Sequence, residues 1–234
     1  MSPFRSRWWW SALLAGGSYC LPAWGVLGSA STAQWNGWVV GSALIVAWKG
    51  AGVACLAAWL ASRGERRLAA VLALGALGDV LLAMFGLVVG ALAFAAGHLL
   101  AIHTYLGRAR RAAQPDKAAK TAISWRPFAV LVPFSLAVTY GLLCGLPLAT
   151  VALVYAALVA GMAAAAWQSV YSRASTGLGA LLFLVSDWLI FVGQGLPQAH
   201  DLARFGVWPL YFGGQALIAA GIARGDATSP ADPR

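Results

Sequence analysis

Two aspartates, Asp79 and Asp187, each lie near the middle of an apolar stretch long enough to cross a bilayer. The other five acids, Glu65, Asp116, Asp201, Asp226 and Asp232, fall in connections or in the C-terminal tail. A carboxylate at bilayer depth is costly unless it is paired, protonated or wetted by a cavity, so such a residue marks a candidate functional site. Two neighbouring carboxyl groups tend to split their pKa values, leaving one protonated and one ionised near neutral pH. A pair of that kind can donate a proton, draw one from water and place negative charge beside a developing cation, so Asp79 and Asp187 are the candidate catalytic residues.

Four further polar groups fall inside apolar runs: Lys49, His98, Tyr211 and Gln215. Tyr211 and Gln215 are four residues apart and share a helix face. At about 1.5 Å rise per residue, Asp79 and Lys49 lie roughly 18 Å from the cytoplasmic ends of their helices, Asp187 about 16 Å and His98 about 12 Å. Gln215 falls at a similar depth. Six polar side chains from five helices can therefore share one slab, slightly inside the midplane, as a water-filled intramembrane cavity requires. Lys49, His98, Tyr211 and Gln215 are the candidate substrate-binding residues.

Each of the four also has a purely structural reading. Lys49 could snorkel or pair with one aspartate, and His98, Tyr211 and Gln215 could bond across helices. A single lysine compensates only one acid, so the aspartates are the least explained by structure alone. Other chemistries find little support. His98 and His103 are five apart and do not share a helix face, and His200 lies in a connection, so no metal is expected. No Gly-x-Ser-x-Gly elbow occurs. Ala76-Leu77-Gly78-Asp79 approaches the Gly-x-Gly-Asp of intramembrane aspartyl proteases, but Ala76 replaces the first glycine. Ser186 stands where those enzymes have tyrosine, and the order of the two motifs is reversed.

The elements that must position these groups are helices in a membrane. The chain has 234 residues, 61% hydrophobic and only 10% charged, with a mean hydropathy of +0.75. A soluble domain carries about a quarter charged residues, so a water-exposed globule is excluded. The apolar runs allow about eight spans of bilayer length, at 9–29, 38–61, 67–85, 87–106, 127–145, 147–167, 176–196 and 206–223. They are rich in Ala, Leu and Gly and lack a period-two pattern, which predicts an all-α polytopic bundle and not a barrel. Residues 1–224 read as a single transmembrane domain and 225–234 as a polar, disordered cytoplasmic tail. Little more than Gly86 separates spans three and four, so a tight helical hairpin is expected there.

The net charge of +9 is unevenly placed. Fourteen of the sixteen Lys and Arg residues lie at the two termini or in the connections after spans two, four and six; the exceptions are Lys49 and Arg204. By the positive-inside bias both termini are cytoplasmic. The basicity thus follows topology, and a nucleic-acid role is not expected. The expected location is a bacterial inner (cell) membrane, with the bilayer and a lipid as partners. Arg5 and Arg7 before an apolar run and Ser31-Thr32-Ala33 after it resemble a cleavable signal. The run is long for a signal core and opens on Trp8, Trp9 and Trp10, so it is read as a retained span. Cys20, Cys55 and Cys144 are far apart in apolar runs and read as small packing residues. Gly78-Asp79-Val80-Leu81-Leu82 parallels Ser186-Asp187-Trp188-Leu189-Ile190 four spans later, as a parallel duplication would place it.

Several blocks occur together in a specific order. They are Lys49; Gly78-Asp79-Val80-Leu81-Leu82; Gly90-Ala91-Leu92-Ala93-Phe94 followed by Gly97-His98; Gly179-Ala180-Leu181-Leu182-Phe183-Leu184-Val185-Ser186-Asp187; and Tyr211-Phe212-Gly213-Gly214-Gln215-Ala216-Leu217-Ile218. In these the chain resembles the lysoplasmalogenase (YhhN-like) family of multi-pass membrane proteins from span two onward. Two departures concern the walls of the site. Gly50 replaces the family's usual proline after the lysine, and Ala101 replaces a frequent tyrosine three residues after the histidine, where Tyr105 could substitute. The resemblance implies eight helices and hydrolysis of the vinyl-ether bond of a lysophospholipid, the lysoplasmalogen, to an aldehyde and a glycerophospho-alcohol. No metal or organic cofactor is needed for that chemistry. A proton- or cation-coupled transporter and a non-enzymatic lipid-binding protein are the alternatives, since the same acids could relay protons or be dispensable.

The charge bias makes a direct test possible. A reporter active only in the periplasm should be silent when fused after Arg224 and active when inserted near His200. The reverse pattern would overturn the assigned orientation, and activity at both sites would reveal a miscounted span.

Overall fold

The computed structural model describes residues 5–25, 40–112 and 123–228. Nine α-helices occur among them: α1 (Arg7–Ser18), α2 (Cys20–Ala23), α3 (Val40–Ser62), α4 (Arg66–Phe85), α5 (Leu87–Ala112), α6 (Arg126–Leu143), α7 (Ala149–Trp167), α8 (Leu178–Gly195) and α9 (His200–Thr228). A π-helical turn, Arg173–Gly177, leads into α8, and a 3-10 turn, Pro197–Ala199, leads into α9. No strand occurs among the described residues. Seven helices, α3 to α9, are long and apolar enough to cross a membrane. The all-α membrane bundle expected from composition is what forms.

Six helices make a ring. Taken as α3, α4, α5, α7, α8 and α9, each packs on the next, and α9 returns to α3. Outside the ring, α6 lies on α7 and α8, while α1 and α2 lie on α3 and α9. Small residues allow the close approaches. A Cβ on Gly179 would come within 2.5 Å of the Gly214 carbonyl oxygen, and one on Gly214 within 2.6 Å of that of Gly179. In lipid, where apolar burial does not favour one helix partner over another, such backbone proximity is a main source of association. The α4–α5 hairpin turns on Gly86 alone, at φ 88°. That left-handed conformation is one glycine adopts without a Cβ penalty.

The first segment differs from the single span expected at 9–29. Helix α1 stops at Ser18, the chain turns at Tyr19, and α2 ends at Ala23. Pro22 has no N–H to offer the Ser18 carbonyl, which removes a ladder bond where the chain turns between α1 and α2. The broken segment nevertheless follows the depth of the bundle. Trp9 packs on Trp59 near one end of α3, with ring centroids 4.6 Å apart, and the Trp24 indole donates to the Phe205 carbonyl at the other end of the bundle at 3.3 Å. That carbonyl is the one Pro209, inside α9, leaves without an i+4 partner. It is thus a shorter eighth element beside seven full-length helices. The signal-like Ser31-Thr32-Ala33 lies outside the described residues.

Other boundaries moved outward. Helix α5 continues to Ala112, past the expected 106, and α9 begins at His200 and runs to Thr228, past Arg224. Polar residues carry these helices beyond the apolar run, and Asp201 in the first turn of α9 suits its dipole. Residues 229–234 of the expected tail lie outside the described residues. Cys20 and Cys55 are half-buried, but Cys144 is exposed beyond the end of α6 and is not a packing residue. Where the basic connections gather, Glu65 is buried and takes both terminal nitrogens of Arg108, at 2.8 and 2.5 Å. Arg108 also donates to the Tyr171 hydroxyl, and Arg63 donates to the Ala223 carbonyl at 3.2 Å. These contacts tie α3, α4, α5 and α9 together at the basic end.

The α8–α9 crossing predicts contrasting effects at adjacent glycines. Gly214→Leu should destabilise the folded protein in detergent by at least the roughly 1–3 kcal/mol of an overpacked core. Gly213→Ala, where a Cβ meets nothing within 4 Å, should leave the melting temperature nearly unchanged. Equal melting of the two variants would contradict the close crossing.

Candidate active site

All six ring helices send a side chain toward one cavity of about 310 Å³. Its lining includes Lys49 from α3, Asp79 from α4, Phe94 from α5, Tyr155 from α7, Asp187 from α8, and Trp208 and Tyr211 from α9. The convergence expected for Lys49, Asp79, Asp187 and Tyr211 is present. Asp79 stands 13 residues, about 20 Å, from the start of α4 at Arg66, and Asp187 nine residues, about 14 Å, from the start of α8 at Leu178, close to the depths expected from the sequence. Asp187 is thus at the middle of α8 and Asp79 about a turn past the middle of α4.

Both carboxyl groups are buried, with Asp79 3% and Asp187 5% exposed. Each has one tyrosine donor. The Tyr211 hydroxyl donates to Asp79 Oδ2 at 2.7 Å, and the Tyr155 hydroxyl donates to Asp187 Oδ2 at 3.0 Å. The second oxygen of each carboxyl takes no protein hydrogen bond among the described residues, which leaves it available to a molecule in the cavity. His98 Nε2 lies 3.3 Å from the Tyr155 oxygen. Because that hydroxyl already donates to Asp187, its oxygen can only accept, which assigns the proton to Nε2. A donor chain therefore runs from His98 through Tyr155 to Asp187.

Lys49 shares the cavity with both acids, makes no ion-pair contact with either, and acts on Asp79 through its charge. His98 and Gln215 do not line the main cavity. They border a second, smaller one of about 20 Å³, which Phe94 separates from the first. Tyr105 lines that small cavity together with His98 and Ala101. The hydroxyl within hydrogen-bond distance of His98 is that of Tyr155, on another helix.

Aromatic rings hold this layer in place. Tyr211 packs edge-on against Phe94 and Phe183, with centroids 5.9 and 5.2 Å away, and His98 packs edge-on against Phe183 at 5.1 Å. Trp208 lies beside Tyr211 at 5.5 Å, and its indole donates to the Gly16 carbonyl at 2.7 Å. The broken first segment thus supports a wall of the cavity. Ser186 is spent locally, its hydroxyl donating to the Phe183 carbonyl at 2.6 Å.

Tyr155 and Trp208 are the site residues that sequence reasoning missed. Tyr155 left a signal, because it is the single tyrosine in its span and lies well away from both membrane interfaces. Trp208 is indistinguishable in sequence from an interfacial tryptophan. The hydroxyl partners also do not follow the suggested duplication. Asp79 on α4 is served by α9, whereas Asp187 on α8 is served by α7.

No match was found among curated proteins or solved structures. The model of the YhhN family matches residues 44–222, a stretch that begins in α3, ends in α9 and contains every residue of the aspartate site. By that match the chain belongs to the YhhN family, the lysoplasmalogenase family.

Proposed function

We propose that this protein is a membrane-embedded hydrolase that cleaves the vinyl-ether bond of a lysoplasmalogen by acid and base catalysis at Asp79 and Asp187. The observation that carries this reading is the pair itself. Two buried carboxyl groups line one cavity, each anchored through one oxygen by a tyrosine. Family membership supports the reaction class.

The chemistry needs an acid, a base and negative charge, as glycoside hydrolysis does. One aspartic acid gives its proton to the alkene carbon remote from the ether oxygen, forming an oxocarbenium ion. The resulting carboxylate stabilises the cation. The other aspartate takes a proton from water as the water oxygen bonds to the carbon next to the ether oxygen, giving a hemiacetal. The second aspartic acid then protonates the departing glycerol oxygen while the first carboxylate removes the hemiacetal hydroxyl proton. Aldehyde and glycerophospho-alcohol leave, and both acids return to their starting states. Tyr211 and Tyr155 orient the carboxyl groups, His98 orients Tyr155, and Lys49 meets the phosphate-bearing part of the lipid. Helices α4 and α8 run unbroken past their acids, unlike the interrupted helices around transporter binding sites, which favours an enzyme over a transporter.

Purified protein in detergent should convert lysoplasmalogen to aldehyde and leave the saturated ether analogue intact, since no double bond is available to protonate. It should release no fatty acid from an acyl lysophospholipid at a comparable rate. Asp79→Asn and Asp187→Asn should each lower kcat by about a hundredfold to ten-thousandfold, the range of a lost general acid or base. The double variant should lose little more, because groups acting as a unit are not additive. Tyr155→Phe removes an orienting donor and should cost roughly tenfold, in line with a hydrogen bond to a charged group. Near-normal turnover in either asparagine variant would remove that residue from the mechanism. Fatty acid release in place of aldehyde would replace the proposed reaction.

A further inference from the structure

Resting on the lysoplasmalogen reading, we infer that the gap between α5 and α7 in the half of the bundle away from the basic end is where a single hydrocarbon chain passes from the bilayer into the site. The two helices meet just beyond this stretch, where His98 lies on Tyr155, and again further along, where Ile102 lies against Gly161. Nearer their first turns both present a face to the cavity. On α5 this face is Val88, Ala91 and Phe94; on α7 it is Leu148, at the helix start, with Val151 and Ala152. Those spacings follow single stripes of a helix.

Exposure falls along the α5 stripe toward the acids, from 42% at Val88 to 8% at Phe94, and on α7 Leu148 and Val151 are 44% and 51% exposed where Ala152 behind them is 9%. The passage is therefore open to the bilayer at one end and continuous with the cavity at the other. Every side chain along it is apolar, and small alanines stand at the neck. A head group bearing phosphate and amine would find no partner there, whereas a hydrocarbon chain loses nothing by lying in it. Size points the same way. At about 310 Å³ the cavity is near the lower limit of small-molecule sites, so it takes the reacting end of a lysolipid and leaves most of the chain outside. The lipid would thus be drawn from the leaflet on the side of the α4–α5 turn.

The test uses the whole protein and a saturated ether lysophospholipid, which is not cleaved, carrying a diazirine a few carbons beyond the ether oxygen. After illumination, mass spectrometry of the peptides locates the label, with turnover of lysoplasmalogen measured on the same preparation. The expected result is label on α5 and α7 within residues 87–94 and 148–155, lost when excess lysoplasmalogen competes. Label that competes away from α1, α6 or α9 instead, with turnover intact, would overturn the passage while leaving the proposed reaction standing. Label spread over all lipid-facing helices and insensitive to competition, with turnover intact, would overturn it as well. Absence of both turnover and competed label would overturn the reaction, and the passage with it.

Discussion

A carboxyl group inside a bilayer keeps its place only where neighbouring helices replace the water it has lost. Here that constraint is met twice in one layer, by hydroxyls that come from helices other than those bearing the acids. Asp79 depends on Tyr211 of α9 and Asp187 on Tyr155 of α7. Both acids are satisfied together only when α4, α7, α8 and α9 are all assembled. The closed ring of six helices is the arrangement that allows this, and the cavity is the space left at its middle. Site and fold are therefore the same event, and loss of a tyrosine hydroxyl should be felt in both.

The rest of the architecture serves that ring. Gly179 and Gly214 bring α8 and α9 into backbone contact, which carries Tyr211 and Asp187 to the same cavity. Gly86 lets α4 and α5 turn back within one residue, setting Phe94 beside Asp79 in the wall. The Glu65–Arg108 pair and the Arg63 contact close the basic end and leave the opposite end for access. The broken first segment, which lies outside the region matched by the family, still holds Trp208 through the Gly16 carbonyl. A substitution far from the acids can thus alter the cavity by loosening one of these ties.

Much of this was legible in the sequence because membranes simplify the code. A charged or strongly polar residue in a long apolar run has few structural excuses, so Asp79, Asp187, Lys49 and Tyr211 stood out and do share the cavity. Charge placement marked the basic connections, and apolar length marked the seven full helices. What escaped has physical reasons. Apolar runs do not report where a helix ends, since polar residues continue α5 and α9 past the hydrocarbon. Pro22 was the cue to the break after Ser18, but an apolar run that continues past it conceals the break. Ring closure order is invisible to any pattern along one helix, so the pairing of Tyr155 with Asp187 could not be read. His98 and Gln215 were placed in the correct layer yet sit behind Phe94, at a second, smaller cavity.

The central claim is that a buried aspartic acid protonates carbon, the step that separates vinyl-ether hydrolysis from attack on an ester, an amide or an acetal. Hydrolysis of lysoplasmalogen in heavy water, with the aldehyde reduced as it forms to prevent exchange by enolisation, tests this most directly. Since the carboxyl proton exchanges with solvent, the product alcohol should carry one solvent-derived deuterium on the carbon next to the former aldehyde carbon. Product without deuterium at that carbon would contradict protonation at carbon and, with it, the role assigned to the aspartate pair.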